Sequence, residues 1–156
     1  MEKVENAGFS SRFIAWLIDM AALAILSFIL TLIFSGVVTL GSGTDSTILG
    51  ILTTTAAFLL AAINLVLQFL YFGLLWNRSG QSFGMTVMNI RVNRPDGQTL
   101  PSFLRAGLRG SIVYWISGLI FGLGYLWALF DSNNEAWHDK IFNTRVVVPS
   151  LFEVNN

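Results

Sequence analysis

From Ile48 to Trp76 the chain passes through a long apolar run without one charged side chain. A helix needs about 20 residues to cross the hydrocarbon layer of a bilayer, so this run is long enough to span it. Two similar stretches accompany it. Phe13 to Phe34 is interrupted among charged residues by Asp19 alone, and Ser111 to Phe130 carries no charge. Apolar residues make up 54% of the 156-residue chain and charged residues 12%, about half the charge of a typical soluble domain. Too few polar side chains remain to cover a water-facing surface, so lipid must cover much of it. The first run is too long for the core of a cleaved signal, and no convincing small-residue cleavage site follows it, so it reads as a retained span.

The expected fold is a single all-α membrane domain. The first two spans, about 13–34 and 48–76, form an antiparallel hairpin joined by the Gly/Ser/Thr-rich loop Ser35 to Thr47. A polar segment, 77–110, holds Arg78, Arg91, Arg94, Arg105 and Arg109, five of nine basic residues, whereas the first loop holds none. The positive-inside rule puts residues 77–110 in the cytoplasm, together with the N-terminus carrying Lys3 and Arg12. Within this segment Val87 to Val92 is strand-like, and Pro95-Asp-Gly is a turn sequence because Pro presets the bend and Gly accepts positive φ. Ser102 to Gly110 reads as an interfacial amphipathic helix, with Phe103, Leu104 and Leu108 on one side and Arg105 and Arg109 on another.

The third apolar segment, 111–130, has two readings. It can cross once, or it can bend back at Gly118, Gly122 and Gly124. The strand-like run Thr144-Arg-Val-Val-Val favours the return, because its only evident partner is Ile90-Arg-Val in the cytoplasmic segment. The result would be a small cytoplasmic β element.

Asp19 carries the most information. It lies roughly 10 Å beyond Arg12 at 1.5 Å per residue, inside an apolar helix. A carboxylate there must be paired, solvated or protonated, and is by default a functional candidate. Ala15 and Ala22, at i−4 and i+3, let another helix approach it closely. Asn64, Gln68 and Tyr71 form a polar stripe at i, i+4 and i+7 on the second span. Gln68, about 12 Å from Trp76, matches Asp19 in depth. The expectation is an Asp19–Gln68–Asn64 cluster. Arg12 can extend to the headgroups, or meet Asp139 if the tail returns. His138, next to Asp139, has the pKa range of a pH-sensitive group, though a packed, hydrogen-bonded histidine is the commoner outcome. The five tryptophans read as interface anchors and packing.

These residues also fall in motifs. Gly8-Phe-Ser-Ser-Arg-Phe-Ile-Ala-Trp-Leu-Ile-Asp resembles the opening of the RDD family of bacterial membrane proteins, and Gly80-Gln-Ser-Phe-Gly-Met-Thr-Val-Met-Asn-Ile-Arg-Val resembles its middle motif. Leu126-Trp-Ala-Leu-Phe-Asp with Trp137-His-Asp-Lys and Thr144-Arg-Val-Val is similar to its closing motif. The resemblance covers about residues 8–148. It maps the naming residues of the family onto Arg12, Asp19 and Asp139, and implies a multi-pass protein of the bacterial cytoplasmic membrane. Here Asp131-Ser-Asn-Asn-Glu replaces a stretch that is usually basic, and Met85 stands where Lys is frequent.

Composition also excludes classes. Zero net charge argues against nucleic acid, and the absence of Cys with a single His argues against disulfides, thiol chemistry and zinc. No cofactor motif and no catalytic constellation is present, so no enzyme is expected. Two functions stay open. One is a transporter exchanging monovalent cations for protons at Asp19, which the resemblance implies for some members and which three helices could perform only as a homo-oligomer. The other is a membrane scaffold or accessory subunit with structural polar residues and a membrane-protein partner.

Overall fold

In the computed structural model, residues 5–40, 46–95, 100–113, 116 and 123–149 are described. Two long helices dominate, α1 (Phe9–Leu40) and α2 (Ser46–Arg78). At 32 and 33 residues each is about 48 Å long at 1.5 Å per residue, well beyond the roughly 30 Å of hydrocarbon. Both are long and apolar enough to cross a membrane. They outrun the apolar segments at both ends, because the flanking Ser, Thr and Gly residues do not end a helix that is already nucleated. The loop expected at Ser35 to Thr47 shrinks accordingly, since helix continues to Leu40 and resumes at Ser46.

At one end of this pair the remaining described elements build a cap. α2 ends at Arg78, and the chain turns away at Gly80, where φ is +72° and a Cβ would fall 2.9 Å from the Val92 carbonyl oxygen. Glycine takes that left-handed conformation without steric penalty. The short helix α3 (Phe83–Val87) follows, then strand β1 (Arg91–Asn93). α4 (Phe103–Leu108) runs on into a π-helical stretch, Arg109–Val113. Beyond it come α5 (Leu123–Leu126), a 3₁₀ turn at Trp127–Leu129, α6 (Trp137–Phe142) and strand β2 (Arg145–Val147). α6 ends on Asn143 in the left-handed region, φ 51°, which turns the chain into β2.

β1 and β2 pair antiparallel, with Arg91 opposite Val147 and Asn93 opposite Arg145. The N-terminal segment closes the other side of β2. Ala7 donates its N–H to the Val146 carbonyl at 2.9 Å, and Val148 donates to the Glu5 carbonyl at 2.9 Å. Residues 5–7, 91–93 and 145–148 therefore meet at one end of the hairpin. Gly118 and Gly122, invoked for a bend, lie outside the described residues, as do Asp96, Gly97 and Trp115.

The core belongs to this cap end. Ala7, Ala15, Phe72, Trp76, Met85, Ile90, Val92, Ala106 and Val146 form one buried cluster. Farther along, the long helices are bare. Ile25, Phe28, Leu32 and Ile33 on α1 and Ile51, Phe58 and Leu59 on α2 are all exposed, as apolar surface against lipid would be. Within the cap, α1 packs chiefly on α3 and α2 on α4. α4 does not lie free on a headgroup layer: Gly107 and Gly110 sit against the rings of Phe69 and Phe72, and Phe103 meets Phe69 edge-on at 5.4 Å. Ala106 and Gly107 are the buried side, and Leu104 and Arg105 face outward.

The contact between α1 and α3 depends on Gly84. A Cβ there would stand 2.0 Å from the Ala15 carbonyl oxygen, so any side chain must drive the two helices apart. Gly84→Ala is expected to destabilise the protein by about 2 kcal/mol or more. Thermal unfolding followed by circular dichroism in detergent checks this. A second change, Ala15→Gly, should not restore stability, because the clash is with main chain.

Candidate functional site

Two buried carboxylates organise the cap. Asp19, ten residues into α1, is 2% exposed and faces α3 rather than lipid. Its Oδ1 accepts from the Tyr71 hydroxyl at 2.7 Å and from the Gly84 N–H at 2.8 Å, and its Oδ2 accepts from the Ser82 hydroxyl at 2.5 Å. Ser82 is the N-cap of α3 and itself accepts from the Met85 N–H at 3.4 Å. A carboxylate from α1 thus binds an unpaired N–H in the first turn of another helix, an arrangement that hydrogen bonding and the orientation of peptide dipoles both favour.

This corrects the expected Asp19–Gln68–Asn64 cluster. From the polar stripe on α2 it is the Tyr71 hydroxyl that bonds Asp19. Asn64 donates to the Leu60 carbonyl of its own helix at 2.8 Å. Asn64 and Gln68 both line a groove of about 880 Å³ between α1 and α2, with Ser27 opposite. Depth along the helix matched, but the lateral position did not. α3 packs on α1 and supplies the Ser82 hydroxyl and the Gly84 N–H to Asp19.

The second carboxylate is Asp139, 0% exposed. Its Oδ2 pairs with Arg12 Nη2 and accepts the Ala136 N–H at 3.0 Å, and its Oδ1 accepts from Arg109 Nη2 at 2.5 Å. Arg12 also donates to the Asn134 carbonyl. Arg12 is therefore engaged inside the cap and does not extend to headgroups. Arg109 departs from the sequence reading too. Expected on the wet side of an interfacial helix, it is 1% exposed, with its guanidinium 4.5 Å from the centre of the Trp76 ring. Burial works against the charge of Asp139, but the two guanidinium groups outweigh it and hold the carboxyl well below the usual carboxylate range.

His138 is buried beside this pair, its Nε2 3.8 Å from Asp139 Oδ1 and its ring tilted on Tyr125 at 5.4 Å. Burial, with the nearby Arg109 and Arg12, pushes the imidazole down to about 3 despite Asp139. The ring is neutral at physiological pH, so this histidine does not sense pH near 6.5. The structure places Arg12, Asp139 and His138 in one cluster and Asp19 in another, two turns of α1 deeper. Sequence reasoning overlooked Ser82, Gly84 and Arg109. Their signals were present: a Ser-x-Gly at a helix start, and an arginine flanked by Gly107 and Gly110, small residues that permit close packing. Among the described residues no group of His, Cys, Asp and Glu side chains could hold a metal ion.

Comparison with known proteins places this geometry. The model of the RDD family matches residues 6–143, which include Arg12, Asp19, Arg109 and Asp139. A relative from Bacillus subtilis (strain 168), YxaI, described only as an uncharacterized protein, is 30% identical over 154 residues, covering 94% of this chain and 99% of that one. No solved structure matches.

Replacing Asp139 by Asn leaves two guanidinium groups facing each other in the cap without a counter-charge. The expected loss is about 3–5 kcal/mol, read as a lowered thermal midpoint in detergent, and larger than that of Arg12→Ala. The sign of the pH dependence follows from His138 and Asp139. Both fold with depressed values, from 6.5 to about 3 for His138 and from 3.8 for Asp139. The unfolded chain binds the extra protons as pH falls, so stability is full above pH 6.5 and declines below it, by up to about 1.4 kcal/mol per unit for the histidine. The replacement His138→Gln should flatten that decline between pH 6 and 4 in unfolding experiments.

Proposed function

The chain belongs to the RDD family, and from that premise we propose that it acts as a non-transporting membrane scaffold or accessory subunit, whose buried polar groups hold a cap onto a transmembrane hairpin. The observation that carries this reading is that each deep carboxylate is enclosed and held by three donors. Asp19 accepts from three donors, and Asp139 from two guanidinium groups and a backbone N–H. An exchange site must admit water and change its protonation during each cycle. An enclosed carboxylate tied to three fixed donors suits a lock better.

The same reading assigns the orientation. The cap faces the cytoplasm and the hairpin spans the cytoplasmic membrane, supported by the five arginines between residues 77 and 110. The exposed apolar lengths of α1 and α2 are then the faces that meet lipid and a partner helix, either from another membrane protein or from a second copy.

Cation exchange at Asp19 is the competing reading, and one experiment separates the two. Purified protein in proteoliposomes is given a pH gradient, and flux of monovalent cations is compared for wild type and Asp19→Asn. The proposal expects no flux above empty liposomes in either, together with a loss of about 2–3 kcal/mol in the variant, whose amide turns an N–H group toward existing donors. Wild-type flux that vanishes in a folded Asp19→Asn protein refutes it.

A further inference from the structure

α3 comes from the arginine-bearing segment that follows α2, yet it does not sit on top of the long helices. Gly84 lies against the Ala15 carbonyl and bonds Asp19, six to ten residues into α1. The Phe83 N–H meets the Tyr71 hydroxyl, seven residues before the end of α2 at Arg78. α3 is therefore roughly 10 Å in from the cap end of each long helix, at 1.5 Å per residue.

Length alone leaves two placements. From Asp19 to Leu40 α1 measures about 31 Å, enough to fill the hydrocarbon layer with α3 left in water. The outer surface favours the other placement. At the level of α3 the exposed side chains include Ile14 and Leu17 on α1, Leu70 and Leu74 on α2, and Phe83 and Val87 on α3 itself. The apolar exterior of the bare helices thus continues past Asp19. Arg105 on α4 is exposed near this level, and its long stem lets the guanidinium rise to the headgroups. At the far end the exterior turns polar, with hydroxyls exposed at Ser35 on α1 and at Thr53, Thr54 and Thr55 on α2. About 20 residues, one hydrocarbon thickness, separate Ser35 from Ala15 and Thr54 from Leu74. Both counts end beside α3.

Hydrogen bonding points the same way. A helix in water can leave its first N–H groups to solvent, whereas one in lipid must satisfy them within the protein. The first three N–H groups of α3 all meet side chains: Phe83 donates to the Tyr71 hydroxyl at 3.2 Å, Gly84 to Asp19 at 2.8 Å and Met85 to the Ser82 hydroxyl at 3.4 Å. The outward-facing Thr86 turns its hydroxyl back to the Ser82 carbonyl at 2.9 Å.

We propose that α3 is immersed in the bilayer on the cytoplasmic side, with Phe83 and Val87 against lipid chains, and that Asp19, Tyr71 and Ser82 complete its first turn there. The cap is then seated in the membrane and does not stand above it. This placement rests on the reading that α1 and α2 span the bilayer, and it adds lipid contact by a segment whose flanking arginines would put it in water.

The chain has no cysteine, so single ones can be introduced and spin-labelled. The exposed positions Phe83→Cys, Val87→Cys, Ile25→Cys and Ser132→Cys are compared in vesicles of phosphatidylethanolamine and phosphatidylglycerol. Paramagnetic resonance reads collision of each label with oxygen, which concentrates among acyl chains, and with a neutral nickel chelate, which stays in water on both sides. The oxygen-to-nickel ratio at 83 and 87 should lie severalfold above that at 132, in the polar tail loop, and group with that at 25, midway along the span. Thermal midpoints in detergent should match wild type; Thr86→Cys, on the same face, replaces either α3 position whose midpoint falls.

A ratio at either α3 position nearer to that of Ser132 than to that of Ile25 overturns the immersion of α3, while an oxygen-rich Ile25 keeps the spanning reading. A nickel-rich Ile25 defeats the spanning reading, and the immersion of α3 falls with it. Shielding of the α3 labels from both reagents reports a cover of protein, and rejects lipid as the occupant of this face.

Discussion

Asp139 joins three stretches of chain that are far apart in sequence. Arg12 comes from the first turns of α1, Arg109 from the end of α4, and the Ala136 N–H from the start of the tail helix. None of these groups could be buried alone, since an isolated ion in a low-dielectric interior is unfavourable by several kcal/mol. Together they are tolerated, and the tolerance is conditional on all three being in place. The remaining cap geometry is consistent with that condition. β2 lies between β1 and residues 5–7 only because α6, anchored by Asp139, delivers it there.

Asp19 acts at the lower edge of the same assembly. It holds the first turn of α3 against Ala15, where Gly84 lets two backbones touch. The cap is thus attached to α1 at two levels, Arg12 above and Asp19 below, and to α2 through Tyr71, Trp76 and the rings that receive Gly107 and Gly110. Beyond Asp19 the described parts of the two long helices expose mostly apolar surface. The molecule divides into a polar-locked end and an apolar end, and its ionisable groups concentrate in the first.

Much of this was legible from composition and periodicity, and the part that was not has a physical explanation. Charge-free runs identified the two long helices, because nothing else makes such a run stable. The lone acid in the first span marked Asp19, since an unpaired carboxylate there is so unfavourable. The face on which Asp19 points could not be read, because depth along a helix fixes one coordinate and packing fixes the others. Gln68 and Asn64 matched the depth; α3, a five-residue helix with no amphipathic period to detect, supplied two of the three donors. Arg109 failed for a related reason. Helical spacing put it beside Arg105 on a polar face, but it also lies i+3 from Ala106 and next to Gly110, on the side that packs into the cap, where Asp139 and the Trp76 ring receive its side chain.

The closure of β2 between residues 5–7 and β1 also governs the order in which the molecule can be made. Synthesis supplies α1 and α2 first, and then Arg109, long before Asp139 or Val146 exists. During that interval Arg12 and Arg109 lack Asp139, the carboxylate they will share, and the backbone groups of Ala7 and Arg91 lack the strand they will pair with. The two long helices can therefore form while the cap remains open. The late arrival of residues 136–147 is what turns a pair of long apolar helices into a closed structure.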